Sequence, residues 1–330
     1  MARNATNGLL HKAKASKSDE FYTLMKDIES ELQHYVHHFK GKVIYCNCDD
    51  SLTSNFYKYF HAHFKQLGLK GLMATCYRPN SCDLFSDQPT QTGSLTEYFS
   101  VSEGPRTIPL KGNGDFRSEE CIELLKKADI VVTNPPFSLF REFVVQLARY
   151  EKGFLIIGNI NAITYKEIFN LIQADKAWLG LNLGRGISGF KVPANYPLYG
   201  TEARIDENGN RIISPNNCLW LTNLSNSQRC SLINLQKIFH GNERIYPKYD
   251  NCDAINVNRT QDIPYDYRGL MGVPITFLHK YNPGQFEIVR FRKGDDGKDL
   301  SINGKCPYFR ILIRNRHPRR PDSYQSTLIV

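Results

Sequence analysis

The sequence contains no long apolar run. Its longest apolar stretches, such as FLII at residues 154–157, are far shorter than the roughly 20 residues that a membrane-spanning helix needs. The N-terminal segment carries several charges but lacks the apolar core that a secretory signal has. These two absences predict a protein that stays in the cytoplasm.

Motifs for metal, redox and dinucleotide binding are also missing. Nine cysteines are scattered along the 330 residues, and the closest pair, Cys46 and Cys48, is separated by one residue, whereas zinc and redox motifs place two residues between their cysteines. The sequence has no His-Glu-x-x-His pattern, and no GxGxxG fingerprint follows the first predicted strand, which disfavours a nicotinamide-dependent enzyme. We therefore expect reduced, inert thiols and no bound metal.

Positive charge is in excess, with 42 Lys and Arg against 33 Asp and Glu and a net charge of +9. Such an excess favours a polyanionic partner, because each neutralised phosphate releases counterions. A soluble protein with a basic surface is the open alternative. The basic residues concentrate near the two ends of the chain, at Arg3, Lys12, Lys14, Lys17, Arg314, Arg316, Arg319 and Arg320.

Up to about residue 225, short apolar segments alternate with stretches of helical periodicity. The predicted strands are residues 42–48, 71–77, 129–133, 153–159 and 177–183, and the predicted helices are residues 27–39, 51–67, 118–127, 140–150 and 166–173. Strands that alternate with helices of this length predict an α/β domain with a parallel sheet and crossover connections. The polar segment 82–109 is predicted to be a loop or a weak hairpin.

Beyond residue 225 the composition changes, since Pro, Asn, Tyr and Arg become more frequent and helical periodicity fades. The predicted strands in this part are residues 273–278, 286–291 and 309–313. We therefore expect two domains, one at residues 1–225 with a basic N-terminal arm at 1–18, and a smaller β-rich one at 226–330.

The sequence Asn134-Pro135-Pro136-Phe137, here called the NPPF motif, directly follows a predicted buried strand. In open parallel sheets, ligands bind at the carboxyl ends of the strands. Two prolines form a stiff turn whose carbonyl groups only accept hydrogen bonds. The Asn134 side chain and the Pro135 carbonyl could bind both hydrogens of an exocyclic amino group, such as N6 of adenine, and favour a pyramidal nitrogen with an available lone pair.

Phe137 would add an apolar face on which a base could stack, typically worth ~1–3 kcal/mol per base. The motif offers no strong base and no covalent nucleophile, so the chemistry that it favours is positioning. The alternative is a plain turn between a strand and a helix.

In this context, the NPPF motif resembles the catalytic motif of the amino-methyltransferases that modify DNA, and the whole sequence is similar to the EcoRI-type adenine-N6 DNA methyltransferase family. The similar segments include DEFYT, VIYCNCDD, GDFRS, DIVVTNPPFSLFRE, WLGLNLGRGISGF, YPKYDNCDAINVN and MGVPITFLHK. The resemblance implies a Rossmann-like core that uses S-adenosylmethionine and no metal, followed by a β-rich target-recognition module. It also implies a monomer in a restriction–modification system that methylates a flipped adenine in double-stranded DNA, in the site GAATTC if recognition is shared. A cognate restriction endonuclease would share that site without needing to bind.

The resemblance also implies which residues bind the cofactor. A first group, Phe21, Tyr22 and Thr23, would contact its methionine end. A second group forms the loop after the first strand and consists of Cys46, Asn47, Cys48, Asp49 and Asp50. This loop lacks the usual Gly-x-Gly, so side chains must make the contacts, and Asp49 or Asp50 would bind the α-ammonium group. Asp115 would accept from the adenine amino group, Phe116 would pack on that ring, and Asn134 would border both sites. No acid follows the predicted strand 71–77, where many relatives bind the ribose hydroxyls.

Contacts with DNA are expected from basic residues and one aromatic residue. The candidates are Lys14, Lys17, Arg185, Phe190, Lys191, Arg204, Arg211 and Arg259. Residues 184–191 combine glycines, cations and Phe190, a mixture that suits a loop close to a flipped base, and flipping itself costs a few kcal/mol. Phe190 is either a second wall of the target pocket or a core residue, and surface ion pairs would explain the arginines equally well.

Two other functions remain open. The same motif occurs in enzymes that methylate an amino group of RNA or of a protein glutamine, although a β-rich module after the core favours DNA. A DNA-binding protein without catalysis is the third possibility, and the intact NPPF motif argues against it.

Overall fold

The computed structural model describes residues 22–78, 92–183, 186–193, 198, 203–214 and 217–320. The chain divides into two compact units, and the boundary between them lies between Ser225 and Asn226. In the part of the chain that is described, no helix is both long enough and apolar enough to span a membrane.

Twelve strands are described in the first unit: β1 Tyr22–Thr23, β2 Val43–Asn47, β3 Gly71–Cys76, β4 Ser94–Tyr98, β5 Arg106–Pro109, β6 Ile130–Thr133, β7 Gly153–Asn159, β8 Trp178–Leu183, β9 Phe190–Val192, β10 Arg204–Ile205, β11 Arg211–Ile213 and β12 Cys218–Thr222. Eight of them form a large sheet in the order β5-β4-β3-β2-β6-β7-β12-β8. The four central strands β3, β2, β6 and β7 are parallel. The predicted Rossmann-like α/β core is confirmed.

The edges of this sheet are antiparallel. Strands β4 and β5 pair as a hairpin beside β3. For the segment 82–109, the hairpin that was one of the two predicted alternatives is therefore present from residue 94 onward. At the other edge, β12 pairs antiparallel with both β7 and β8. The sheet is therefore mixed, and its parallel part is limited to the four strands whose residues are apolar on both faces, as expected for strands covered by helices on both sides.

The described helices of this unit are α1 Met25–Leu32, α2 Val36–Phe39, α3 Asn55–Ala62, α4 Phe64–Leu67, α5 Glu119–Lys127, α6 Phe140–Arg149 and α7 Lys166–Gln173. The prediction of one helix over 27–39 is wrong in detail, because a 3₁₀ turn at Gln33–Tyr35 separates α1 from α2. The helix predicted from residue 51 begins four residues later, because the Ser54 hydroxyl caps α3 by accepting from the backbone N–H groups of Phe56 (3.1 Å) and Tyr57 (3.4 Å).

A second, small sheet was not predicted. It joins β1, β9, β11 and β10 in that order, and all its pairs are antiparallel. Thr23 of β1 and Ile213 of β11 are both register partners of Phe190. The N-terminal cofactor segment is thus paired directly with the strand that carries Phe190.

The second unit is built on a five-stranded sheet in the order β13-β14-β15-β17-β16. Its strands are β13 Lys248–Tyr249, β14 Cys252–Asn256, β15 Leu270–Pro274, β16 Phe286–Phe291 and β17 Arg310–Asn315. The helical segments described here are short 3₁₀ turns, so the unit is β-rich. The strand predicted at 273–278 ends early at Pro274, which cannot donate to a sheet, and residues 275–280 form a 3₁₀ turn.

Candidate active site

The carboxyl ends of β2 and β6 are joined by Thr133, the residue that precedes the NPPF motif. The Thr133 hydroxyl lies within hydrogen-bonding distance of both the Asn47 carbonyl oxygen and the Asp49 carboxyl Oδ2. Thr133 itself is fully buried. The predicted cofactor loop and the predicted catalytic motif therefore lie side by side, at the edge where a parallel sheet binds its ligands.

Asp49 is a buried carboxyl group with two hydroxyl partners. Its Oδ1 accepts from the Ser54 hydroxyl at 2.6 Å, and its Oδ2 contacts Thr133. Burial raises the pKa of Asp49 to about 7, although the hydrogen bonds from Ser54 and Thr133 act in the opposite direction. With both oxygens engaged and the charge disfavoured, Asp49 is poorly suited to bind an ammonium group.

Cys48 adopts the backbone conformation for which glycine is usually required. Its φ angle is +71°, in the left-handed region that costs a non-glycine residue roughly 1–2 kcal/mol. The Cys48 thiol donates to the Asn47 side-chain oxygen at 3.8 Å. The loop after β2 therefore keeps a sharp turn although the glycines of the superfamily are missing.

Asp50 supplies a carboxylate at the end of β3, where the sequence has no acid of its own. Its Oδ2 accepts from the Arg78 guanidinium at 3.1 Å and from the Cys76 thiol at 3.5 Å. Its Oδ1 accepts from the Leu52 backbone N–H at 2.9 Å. The acid that could meet the ribose hydroxyls of a nucleoside thus comes from the loop of the neighbouring strand.

The turn that carries Asp115 packs against the same end of β3. Gly114 has a φ of +81°, and a Cβ at this position would lie 2.4 Å from the Cys76 carbonyl oxygen, so only glycine fits. Both oxygens of the Asp115 carboxylate accept from Arg117, at 2.7 Å for the closest pair, and this side chain lowers the pKa of Asp115.

Phe116 is buried and meets the Phe143 ring edge-on, with 5.0 Å between the centroids. Its ring lies between the Asp115 turn and α6, and its packing on the cofactor ring stays a prediction.

The NPPF motif turns directly into a helix. Pro135 is buried, while Asn134, Pro136 and Phe137 are half-buried. The Pro136 carbonyl accepts from the Leu139 backbone N–H at 3.0 Å, which begins a 3₁₀ turn that continues into α6. The motif is therefore held rigidly between a buried strand and a helix, as its prolines predict.

Phe137 and Phe190 are in edge-to-face contact, with 6.1 Å between the ring centroids and an angle of 86° between the planes. Phe190 is completely buried. This burial favours the second predicted alternative, a core residue, over a wall of the target pocket. Phe190 supports Phe137 from behind.

Tyr22 and Thr23 are held beside α3, because the Asn55 side chain donates to the Thr23 carbonyl oxygen at 2.8 Å. The buried side-chain atoms without a hydrogen-bond partner in the described part of the chain include the Thr23 hydroxyl and the Asn47 side-chain nitrogen. An unsatisfied buried donor costs about 1–3 kcal/mol. Polar groups of this kind, together with the Asp50 carboxylate, fit a ligand that offers both hydroxyl and charged groups, as S-adenosylmethionine does.

The predicted DNA contacts have different environments. Lys14, Lys17, Arg185 and the cofactor candidate Phe21 lie outside the described residues. Lys191 and Arg259 are exposed and Arg211 is half-buried. Arg204 is exposed as well, but its guanidinium donates to the Ser214 hydroxyl at 3.0 Å and to the Ser188 carbonyl oxygen at 3.3 Å, so it stabilises the small sheet.

Two features of the site escaped sequence reasoning. One is Thr133, whose signal was a single hydroxyl at the end of an otherwise apolar strand. The other is the pair Asp27 and Glu31, two acids buried on the apolar face of α1 beside Ile28 and Leu32.

In the described ranges, no cluster of three or more His, Cys, Asp or Glu side chains could hold a metal ion.

Comparison with known proteins identifies the family to which the sequence is similar. Residues 9–316 match the family model described as "Adenine-specific methyltransferase EcoRI". The chain is 64% identical over 322 residues to the type II methyltransferase M.EcoRI of Escherichia coli, covering 96% of this chain and 99% of that protein. It is 37% identical over 326 residues to the type II methyltransferase M.MpnI of Mycoplasma pneumoniae, covering 93% and 98%. No solved structure matches the chain.

Proposed function

The chain belongs to the EcoRI family of adenine-specific methyltransferases, and from this premise we propose that it transfers the methyl group of S-adenosylmethionine to N6 of adenine in a short duplex DNA site. The observation that carries the proposal is the position of the NPPF motif. It follows the central strand β6, and Thr133 joins it to the acidic loop of the adjacent strand β2.

The chemistry rests on acceptors that are fixed in place. The Asn134 side chain and the Pro135 carbonyl oxygen would each accept one hydrogen of the adenine amino group. The nitrogen then becomes pyramidal, and its lone pair points away from both acceptors. S-adenosylmethionine would supply an electrophilic methyl group when it is bound and leave as S-adenosylhomocysteine, and the methylated nitrogen would lose one proton to solvent. Catalysis would come from this orientation and from the fixed dipoles of the acceptors.

Asp50 and Asp115 are the carboxylates proposed to meet the cofactor. Asp50 lies at the end of β3 beside Arg78 and would accept from the ribose hydroxyls. Asp115 would accept a hydrogen bond from the amino group of the cofactor's adenine. That amino group would have to share the Asp115 carboxylate with Arg117 or displace Arg117 from it. Thr23 and Asn47 would satisfy their buried polar atoms on the same ligand.

The remaining assignments follow the family. The unit that begins at Asn226 would recognise the target, and Lys191 of β9, which is exposed, would contact the DNA backbone. The relative from Escherichia coli is named M.EcoRI, so GAATTC is the proposed site. We place the enzyme in the cytoplasm as a monomer that protects host DNA from a cognate restriction endonuclease.

Two synthetic duplexes test this proposal. One contains GAATTC, and its control contains GTTAAC, which has the same base composition in a different order. Incubation with tritiated S-adenosylmethionine should label the first duplex and leave the second unlabelled. Equal labelling would remove the proposed site. Labelling of neither duplex, with labelling of RNA or of a protein glutamine, would replace DNA as the substrate.

A further inference from the structure

Helix α1 carries two buried carboxylates, Asp27 and Glu31, that are one helical turn apart. Asp27 is 4% exposed and Glu31 is 0% exposed. Among the described residues, neither forms an ion pair with a Lys or Arg side chain. A buried carboxylate is unfavourable unless hydrogen bonds compensate for its lost hydration. The hydrogen-bond donors of these two acids therefore identify the segments that the acids fix in place.

Glu31 binds the end of β8. Its two oxygens accept from the backbone N–H groups of Leu181 and Asn182, both at 2.8 Å. The Asn182 side chain donates to it at 2.8 Å, and the Tyr35 hydroxyl donates to it at 3.0 Å. A Cβ on Gly180 would lie 2.3 Å from the Glu31 carboxylate, so glycine is needed for this close approach.

Asp27 binds Ser188, further along the chain that follows β8. Its Oδ2 accepts from the Ser188 backbone N–H at 3.0 Å, and its Oδ1 accepts from the Ser188 hydroxyl. The Ser188 carbonyl oxygen accepts from the Ser214 hydroxyl and from Arg204. Both backbone polar groups of Ser188 and its side chain are therefore fixed.

Only one residue, Gly189, separates Ser188 from Phe190, and it lies closely against β11. Gly189 has a φ of +139°, and a Cβ there would lie 2.6 Å from the Ile213 carbonyl oxygen. Phe190 is the next residue, and its ring supports Phe137. A displacement of Ser188 would reach Phe190 through this single residue, and with it the ring against which Phe137 rests.

We propose that Asp27 is a positioning residue for methyl transfer, which fixes Ser188 and Phe190 and thereby holds Phe137 where the target base stacks, while Glu31 fixes the end of β8 against the same helix. The inference rests on the proposed function. Helix α1, which follows the cofactor segment Tyr22–Thr23 in the chain, would thus also determine the position of Phe137, on which the target base stacks.

The decisive variant is Asp27→Asn, which keeps the size of the side chain but turns one acceptor towards Ser188 into a donor. We expect kcat on a GAATTC duplex to fall about tenfold, the equivalent of one charge-assisted hydrogen bond, with KM for S-adenosylmethionine changed less than twofold. The fluorescence increase of 2-aminopurine at the target position should also fall.

Asp129→Asn is the control, at a carboxylate that is exposed and lies 3.9 Å from the Lys42 ammonium group. Its carboxylate also accepts from a backbone N–H, that of Val43 at 2.8 Å, but at the opposite end of the sheet. This variant should lower Tm while kcat and the 2-aminopurine signal stay at wild-type values. A loss of kcat in both variants in proportion to their Tm would show a merely structural role and overturn the proposal.

Ser188→Ala decides the matter if Asp27→Asn does not fold. It keeps the backbone bond to Asp27 and loses only the hydroxyl bond, so kcat should fall about threefold with normal folding. An unchanged kcat and an unchanged 2-aminopurine signal would overturn the proposal. Absence of methyl transfer by the wild-type protein would instead refute the proposed function, and the 2-aminopurine measurement on bound duplex would still report on positioning.

Discussion

The Thr133 hydroxyl and the Asp49 carboxyl are hydrogen-bonded at the adjoining carboxyl ends of β6 and β2. Thr133 has one hydroxyl hydrogen but two acceptors within reach, the Asn47 carbonyl oxygen and Asp49. A proton on Asp49 resolves this conflict, because Asp49 can then donate to Thr133 while Thr133 donates to Asn47. The geometry and the raised pKa of Asp49 both indicate a neutral carboxyl in the native state below pH 7.

This protonation makes stability depend on pH with a definite sign. The pKa of Asp49 rises from 3.8 to about 7 on folding, so between these values the native state holds a proton that the unfolded state has lost. The free energy of unfolding should therefore fall as pH rises through this window, by at most roughly 1.4 kcal/mol per pH unit, and level off above pH 7.

Urea unfolding of wild-type protein and of the Asp49→Asn variant from pH 4 to pH 8 isolates this contribution. The difference in the free energy of unfolding between the two proteins should change steadily up to about pH 7 and then become constant. A difference that is independent of pH over the whole range would mean that Asp49 is ionised in the folded protein.

Asn134→Ala should abolish methyl transfer and leave DNA binding nearly unchanged. The substitution removes one of the two acceptors for the amino group, and loss of one preorganised polar contact of this kind reduces kcat by about a hundredfold or more. Single-turnover rates and a filter-binding Kd measure the two effects separately. Asn134→Asp, which keeps an acceptor oxygen, should retain more activity than Asn134→Ala. Near-wild-type turnover in Asn134→Ala would rule out the amino-group contact.

Phe137→Ala and Phe190→Ala should differ in a characteristic way. Phe137 is half-buried and Phe190 is fully buried, so the first variant should lose ~1–3 kcal/mol of stacking on the base, and the second should lose ~3–5 kcal/mol of folding stability. Thermal unfolding and 2-aminopurine fluorescence separate these losses. A Phe137→Ala protein with an unchanged fluorescence signal would contradict the stacking role.

Cys48→Gly should stabilise the protein. The residue has a φ of +71°, so glycine relieves roughly 1–2 kcal/mol of backbone strain, of which the greater flexibility of glycine in the unfolded chain offsets a part. Cys48→Ala keeps the strain and removes the thiol, and it is the matched control. A higher midpoint of urea unfolding is expected for Cys48→Gly alone. A lower midpoint than that of Cys48→Ala would mean that strain at this turn is negligible.

Much of the architecture could be predicted from sequence because its signals are local. Strands such as Val43–Asn47 and Phe286–Phe291 are apolar runs whose bounds agree with the prediction within one or two residues. The resemblance to the EcoRI family, based on segments along the whole chain, is confirmed.

The small sheet could not be predicted, because its shortest strands have two residues and pair with partners far away in the chain. Thr23 and Phe190, for example, are register partners although 166 residues lie between them, as their numbers show. Phe190 is buried, and Arg204 donates a hydrogen bond to the Ser188 carbonyl oxygen. Both features belong to this small sheet. The sequence left two roles open for each, because no local feature distinguishes an aromatic or basic residue that contacts DNA from one that supports the fold.

The most direct test of the central claim is the transfer of tritiated methyl from S-adenosylmethionine to plasmid DNA, followed by nucleoside analysis and digestion with EcoRI endonuclease. We expect label in N6-methyladenine and protection of every GAATTC site. Label in N6-methyladenine without protection would keep the chemistry and remove the site. An absence of label from all DNA would contradict the proposed function.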